Sequence, residues 1–506
     1  MGELLLSGLS VIMQPTLLLL LLAGIVVGVV FGALPGVSSS MAVALSLGFT
    51  YSMDAVSAIA FMSAVYCAAV TGGGITAILF KIPGTPSNAA TTFDGYPMAQ
   101  RGEAGKALGI SLICSAIGGL FSAVVMFLMS PQLIKVALTF GPSELFAVCF
   151  LGLSILTCLE SENLNRCLIS GLLGLFLACV GIDPISSYQR FTWGNAILRS
   201  GVEMIPVMIG LFAIDEVLKQ TKQHTGIAID EQNRQKAQAK TVFPSLREWL
   251  SIKWTIVRSS VLGTAVGILP GAGSTIAAFL CYATEVKLSK HPERFGTGIM
   301  EGIAASETAN NAATGGSMVP LLTMGIPGGT SAAIMMSALT LKGVQMGPLL
   351  LMNQPQYLSA TFISMIITNI VMVFVCVIVA RTFAKILSIP YSYLGTTIIL
   401  LAVIGAFSTK NAIVDVKLMV IAGVLGLLFS ACKFNNAALI LGLVLGTMCE
   451  NNLRRAVAMN AGSFTRVFSR PMTAVIMIVG IAALLYPVIK PLIFKKRAQR
   501  AENDRK

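Results

Sequence analysis

The chain has 506 residues, 55% of them apolar and only 11% charged, with a mean hydropathy of +0.82. Soluble domains carry about a quarter charged residues, so this composition excludes a water-soluble enzyme or binding domain and implies a polytopic membrane protein. The formal net charge of +13 does not point to nucleic acid. The basic residues gather in a central stretch, 219–258, and in a tail, 490–506, which the positive-inside rule places in the cytoplasm.

In chain order, apolar stretches long enough to span lie at 11–34, 54–71, 106–130, 141–159, 164–181, 359–380, 391–408, 417–432 and 471–489. About 20 apolar residues cross a bilayer core as helix. Shorter pieces broken by Gly or Pro lie between them, and the whole reads as roughly a dozen helices plus half-helices. Only Glu3 precedes the first long apolar run. Without a positive n-region that segment is not a cleaved signal, and Met1 to Gln14 is expected outside. The ten cysteines form no C-x-x-C pair and the two histidines, His224 and His291, fall in charged loops, so no metal centre is expected. Neither a phosphate-binding G-x-x-x-x-G-K-[ST] loop nor H-E-x-x-H is present.

Two unusual segments occur twice. GALPG (32–36) returns as GILPG (267–271), offset by 235 residues. TGGGITAILFKIPGT (71–85) returns as TGGSMVPLLTMGIPGGT (314–330), offset by about 244, and a charged loop from Lys287 to Arg294 accounts for the difference. GLLGLFLAC (171–179) further resembles GVLGLLFSAC (423–432). The expected organisation is a first transmembrane repeat at 1–218, a basic cytoplasmic linker at 219–253, a second repeat at 254–455, an added span within 456–489 and a basic cytoplasmic tail at 490–506. With the N-terminus outside and the linker inside, the first half crosses an odd number of times. The second half then runs in the opposite sense. The fold class is therefore an all-α polytopic membrane protein of two inverted-topology repeats with Gly/Pro-broken helices or re-entrant hairpins, plus one extra C-terminal span. Such paired breaks mark the binding site of secondary transporters.

The broken segments carry the candidate chemistry. Pro35 and Gly36 interrupt the first, and Ser38, Ser39 and Ser40 open a new helix; Gly271 and Ser274 occupy the second copy. Pro83 and Gly84 break the next segment ahead of Thr85, Ser87 and Asn88, with Gly328, Thr330 and Ser331 as counterparts. Helix starts after such breaks present free N–H groups and the positive end of a dipole to an anion. A third segment, EGIAASETANNAATGG (301–316), puts Glu307, Asn310 and Asn311 on one helical face, which should look into a cavity or the bundle interior. Its first-half counterpart (63–74) lacks the acid and both amides. Unwound carbonyls near Gly72, Gly73 and Gly74, and near Thr314, Gly315 and Gly316, are expected to suit a cation, with Glu307 as the coupling group. Asp94 reads as a structural residue in a DGYP turn. Asn311→Ala and Gly84→Leu are expected to abolish uptake while sparing folding.

These residues resemble the large membrane subunit of the tripartite tricarboxylate transporter family, above all in GALPG, 71–102, GILPGAGS and 307–335. The resemblance implies uptake of citrate-like tricarboxylates or other small carboxylates across the bacterial inner membrane. It also implies a small membrane subunit and a periplasmic substrate-binding protein as partners, and co-transport of Na+ or H+ with no other cofactor or metal. Importing a trianion into a negative cell costs roughly 7 kcal/mol per 100 mV, which favours symport over an uncoupled anion channel or uniporter. A non-transporting scaffold subunit would not need polar groups around two repeated helix breaks.

Overall fold

The computed structural model describes every residue except 1, 35–36, 160–163, 184–185, 224–239, 345, 388–390 and 486–506. The first half runs through helices α1 (Gly2–Ile12), α2 (Pro15–Ala33), α3 (Ser39–Thr50), α4 (Ala55–Phe80), α5 (Thr92–Met98), α6 (Ala104–Ala137), α7 (Pro142–Leu159) and α8 (Leu164–Ala178). A short β-hairpin, Gly181–Ile182 with Gln189–Arg190, precedes α9 (Met204–Ile209) and α10 (Asp215–Gln223). The second half runs through α11 (Leu246–Ile268), α12 (Gly273–Leu288), α13 (Met300–Met324), α14 (Thr330–Leu341), α15 (Gln356–Leu387), α16 (Tyr391–Ser408), α17 (Ile413–Ala431) and α18 (Asn436–Met459). A final helix, α19, covers Pro471–Leu485.

Among the described residues five helical stretches are long and apolar enough to cross a membrane: Pro15–Ala33, Ala55–Phe80, Thr92–Ala137, Gln356–Thr382 and Ile413–Ala431. Their outer faces suit lipid. On α15, Ile370, Phe374 and Ile378 recur at one-turn spacing and are 48%, 66% and 64% exposed. An apolar stripe of that kind is stable in hydrocarbon and costly in water. The protein is an all-α polytopic membrane protein.

The chain forms two compact units, one of residues 1–137 and 205–427, the other of 138–204 and 428–506. In the first, the sequence repeat reappears as a packing repeat. Gly24 and Gly28 of α2 lie so close to α4 that a Cβ would sit 2.8 Å from Phe61 O and 2.6 Å from Val65 O. Gly263 and Gly267 of α11 face α13 in the same way, 2.6 Å from Ala309 O and 2.5 Å from Ala313 O. In the opposite direction a Cβ on Gly72 would meet Val29 O at 2.5 Å, and one on Gly316 would meet Thr264 O at 2.5 Å. Small residues let membrane helices approach backbone to backbone, where van der Waals packing replaces the hydrophobic drive.

This packing corrects one expectation. Gly72–Gly74 and Thr314–Gly316 are not unwound: α4 and α13 run unbroken through them. Their glycines serve close helix contact, and the Gly73 carbonyl is already engaged by the Gly84 N–H at 3.2 Å and the Thr76 hydroxyl at 3.3 Å. A second correction concerns DGYP, which lies inside α5 rather than in a turn.

The second unit holds α7, α8, the hairpin, α18 and α19. Charged residues bind it together at its polar edge. Arg454 pairs with Asp183 at 2.6 Å, Arg190 with Glu450, and Arg470 with Glu144 at 3.3 Å. A cavity of about 210 Å³ lies beside Arg190, Arg199, Glu450 and Asn451.

Candidate substrate and ion site

Four helix breaks meet inside the first unit. α2 and α11 end in extended residues, Leu34 and Leu269. α4 and α13 end in left-handed caps, Lys81 at φ 59° and Gly325 at φ 70°. Each half then locks its two breaks together: a Cβ on Gly84 would strike Gly32 O, and one on Gly328 would lie 2.6 Å from Gly267 O. The Gly271 N–H donates to the Gly328 carbonyl at 3.1 Å. A Cβ on Gly329 would lie 3.5 Å from the Gly273 Cα within the second half, and the two halves join where α12 packs on the 3-10 turn Pro86–Asn88.

At this junction the N-termini of α3 and α14 stand side by side. Ser38 caps α3, its hydroxyl accepting from the Met41 N–H at 3.1 Å. Ser39 and Ser331 approach through their hydroxyls at 3.4 Å, and Ser40 and Thr330 at 2.7 Å. The far ends are tied too, because Lys342 donates to the Tyr51 and Met53 carbonyls at 2.6 Å each. Both half-helices are 12 residues long and point their positive dipole ends the same way. Two such ends, each equivalent to about half a charge, stand beside four hydroxyls, an arrangement whose chemistry suits an anion.

The third polar segment lies deeper. Glu307, Asn310, Asn311 and Thr314 on α13 are fully buried. Glu307 Oε1 accepts from Asn88 Nδ2 at 3.0 Å and Thr91 Oγ1 at 2.5 Å, and Oε2 accepts from Ser115 Oγ at 2.9 Å. Thr85 donates to Asn88 Oδ1 at 2.6 Å and so fixes which way that amide faces. Asn311 accepts from Thr71 at 2.9 Å and donates to Asn310 Oδ1 at 2.8 Å. The first half, which lacks the acid, supplies the donors that hold it. Burying a carboxylate among neutral donors is costly unless its charge is offset or neutralised.

The structure therefore brings together most of the residues the sequence singled out. Ser39, Ser40, Thr330 and Ser331 form one cluster, and Thr85, Asn88, Glu307, Asn310 and Asn311 a second. Gly84, Gly271 and Gly328 hold the breaks between them. Pro83 is half-buried in its break and Ser274 sits in the first turn of α12. Pro35 and Gly36 lie outside the described residues. Thr314 turns its hydroxyl to the Asn311 carbonyl at 2.7 Å, and Gly315 packs against Ser122. The expectation that Gly84→Leu spares folding does not survive. A Cβ there overlaps Gly32 O and lies 2.6 Å from the Gly73 Cα, both backbone atoms that cannot give way.

Sequence reasoning missed Thr91 and Ser115, isolated hydroxyls in otherwise ordinary stretches. It also missed how Asp94 works. Its Oδ1 accepts from the backbone N–H groups of Gly296, Gly298 and Ile299 at 2.9, 2.8 and 3.1 Å, and Oδ2 accepts from the Tyr282 hydroxyl at 2.8 Å. A buried carboxylate thus holds the loop that leads into α13, at the end of the helix where negative charge is favoured.

Fold and site together define a multi-pass helical membrane protein with paired, internally repeated helix breaks. The chain belongs to the tripartite tricarboxylate transporter TctA family, whose model matches residues 18–441. This is a transporter family, and its name places the chain in a system with other subunits. Across 499 residues the chain is 33% identical to a 52.8 kDa protein of the TAR-I ttuC′ 3′ region of Agrobacterium vitis, covering 98% of each. It is also 36% identical over 237 residues to a protein of the TAR-II ttuC′ 3′ region of the same organism, covering 47% of this chain and 98% of that one. No solved structure matches the chain.

Proposed function

We propose that this chain is the large permease subunit of a tripartite secondary transporter that imports a citrate-like tricarboxylate or another small carboxylate, coupled to a Na+ or H+ gradient. It is a carrier and not an enzyme. It works in the bacterial inner membrane with a small membrane subunit and a periplasmic substrate-binding protein. The N-terminus lies in the periplasm; the basic linker and the C-terminal tail lie in the cytoplasm. The two halves are inverted repeats.

One observation carries this reading: two half-helix N-termini, from opposite halves of the chain, are joined through Ser39, Ser40, Thr330 and Ser331, and the same unit holds a fully buried acid, Glu307, on neutral donors from the other half. Substrate carboxylates meet the N–H groups and hydroxyls of α3 and α14. The co-transported cation offsets Glu307, which brings no basic residue of its own. Alternating access then moves the junction between the two sides of the membrane. Substrate charge enters only with compensating cations, because each unit charge carried against the potential costs about 2.3 kcal/mol per 100 mV.

The test is a proteoliposome assay with the small membrane subunit and the binding protein present, measuring uptake of labelled citrate and of a panel of small carboxylates. Ser40→Ala with Thr330→Val should raise the substrate KM at least tenfold while the protein stays folded. Unchanged uptake by the double variant would remove the half-helix pair from the substrate site.

A further inference from the structure

The second unit contains a charged cavity that the proposed function does not use. Its walls come from the end of α8, the hairpin, the residues that follow it and one face of α18, all within that unit. On α18 the lining residues Leu443, Thr447, Glu450 and Asn451 recur at helical spacing, and they change from apolar to charged in about two turns. Burial and composition mark the same boundary. Residues 438–446 of α18 are buried and apolar, whereas the helix from Glu450 onward carries Asn451, Asn452, Arg454 and Arg455. α8 stops at this level: it ends at Ala178, whose Cβ lies 2.6 Å from where a Cβ on Gly446 would sit.

Aromatic side chains gather at the boundary. The exposed stripe Ile169, Leu172 and Phe176 on α8 continues beyond the helix, where the Phe191 ring lies 4.9 Å from Phe176 and the Trp193 ring 6.4 Å from Phe191. Tyr188 and Trp193 are 74% and 76% exposed. An apolar helix face that ends in exposed Tyr and Trp is the pattern of a bilayer–water interface, so the cavity lies at the depth of lipid headgroups. Its charge is unbalanced. Arg190 and Arg199 line it against Glu450 alone. Glu450 is already taken by Arg190, with one of the two contacts at 3.2 Å, and Arg199 is exposed and has no charged partner among the described residues. The volume of about 210 Å³ equals several waters at about 30 Å³ each, too large for a lone ion. It is below the roughly 300 Å³ at which pockets enclose a whole drug-sized ligand. That size suits a headgroup whose tails stay outside on the apolar stripe.

We propose that this cavity binds the headgroup of an anionic phospholipid, with Arg199 on the phosphate, Thr447 and Asn451 as neutral hydrogen-bonding partners, and Leu177, Val180 and Leu443 against the glycerol and upper acyl chain. A guanidinium matches phosphate through paired N–H donors, and basic pockets between membrane helices hold anionic headgroups. A soluble anion would use the arginine but neither the apolar wall nor the aromatic belt. The site belongs to the unit that lacks the Glu307 network and the half-helix pair, so it holds whether or not the chain carries a carboxylate.

The test is native mass spectrometry of the delipidated full chain titrated with phosphatidylglycerol, phosphatidylcholine, inorganic phosphate or citrate, with thermal unfolding followed in parallel. Phosphatidylglycerol should be retained and raise the Tm, and phosphatidylcholine should bind at least tenfold more weakly. Arg199→Gln should weaken phosphatidylglycerol retention at least tenfold, Arg199→Lys should restore part of it, and Arg247→Gln, which removes an exposed arginine from the first unit, should leave it unchanged. Thr447→Phe, an exposed position on the cavity wall, should displace the lipid by filling its place. Equal retention of both lipids, or retention indifferent to Arg199→Gln and Thr447→Phe, would overturn the proposal. Stabilisation by phosphate or citrate that depends on Arg199, with no lipid retained, would overturn it in favour of a small-anion site. Loss of the small membrane subunit from Arg199→Gln with lipid retention intact would make the surface a subunit contact and overturn it as well.

Discussion

Replacing Glu307 tests the buried network most sharply, because two substitutions at this position should behave differently. Glu307→Ala leaves Asn88 Nδ2, Thr91 Oγ1 and Ser115 Oγ without their acceptor in a site with no exposure. Thr91 keeps the Ser306 hydroxyl at 3.0 Å; each of the other two costs about 1–3 kcal/mol when buried and unsatisfied, so they sum to roughly 2–6 kcal/mol, a large share of the whole stability of many proteins. Glu307→Gln keeps the shape. Its amide oxygen retains Asn88 and Thr91, and its NH2 meets Ser115, whose hydroxyl accepts as readily as it donates. The remaining loss is the difference between charged and neutral hydrogen bonds, about 1 kcal/mol. The alanine variant should therefore be recovered in poor yield or with a Tm lowered by tens of degrees. The glutamine variant should fold with a Tm close to wild type yet fail to accumulate substrate against a gradient. Size-exclusion profiles and thermal unfolding in detergent read the first outcome, and proteoliposome uptake reads the second. An alanine variant as stable as wild type would refute the network, and a glutamine variant with wild-type accumulation would refute the coupling role.

Three further outcomes follow from the geometry. Gly28→Leu and Gly263→Leu should each block folding, as judged by loss of a monodisperse size-exclusion peak, because the new side chains meet Val65 O and Ala309 O; Gly2→Leu, with open space at its Cβ, should not. Asp94→Ala removes the acceptor for three backbone N–H groups and should lower stability by about 2–4 kcal/mol on the scale of a charged hydrogen-bond acceptor; limited proteolysis should then cut within 289–299, where the wild type resists. Lys342→Met frees the Tyr51 and Met53 carbonyls and should loosen the end of α3, seen as faster amide hydrogen exchange at 47–53 with no change at 55–65.

Much of this was legible in the sequence, for identifiable reasons. Long apolar runs announced α2, α4, α6, α15 and α17, since a bilayer imposes length and composition directly. The polar run 301–316 could only face inward, and Glu307, Asn310 and Asn311 are fully buried. The breaks at 81–85 and 325–329 were readable because Pro and Gly end a helix locally. The glycine triplet at 72–74 was misread because glycine has two uses in a membrane helix, release of the backbone and close approach. Only the neighbouring helix, with Val29 O against Gly72, decides between them. Thr91 and Ser115 carried no local signal, because each gains its role from a carboxylate some 200 residues away. Asp94 is the same case, with its partners at 296–299 and no pattern of spacing to reveal them.

This chain is expected to move a small carboxylate only together with a cation. Labelled citrate should be followed into proteoliposomes that contain the chain, its small subunit and the binding protein, under a Na+ gradient, a proton gradient or neither, with a panel of small carboxylates as the fallback substrate. Accumulation above the bath concentration under an inward cation gradient, and its collapse when that gradient is dissipated, is the predicted result. Substrate that merely equilibrates across the membrane, at the same rate with and without a gradient, would contradict the claim and identify an uncoupled pathway.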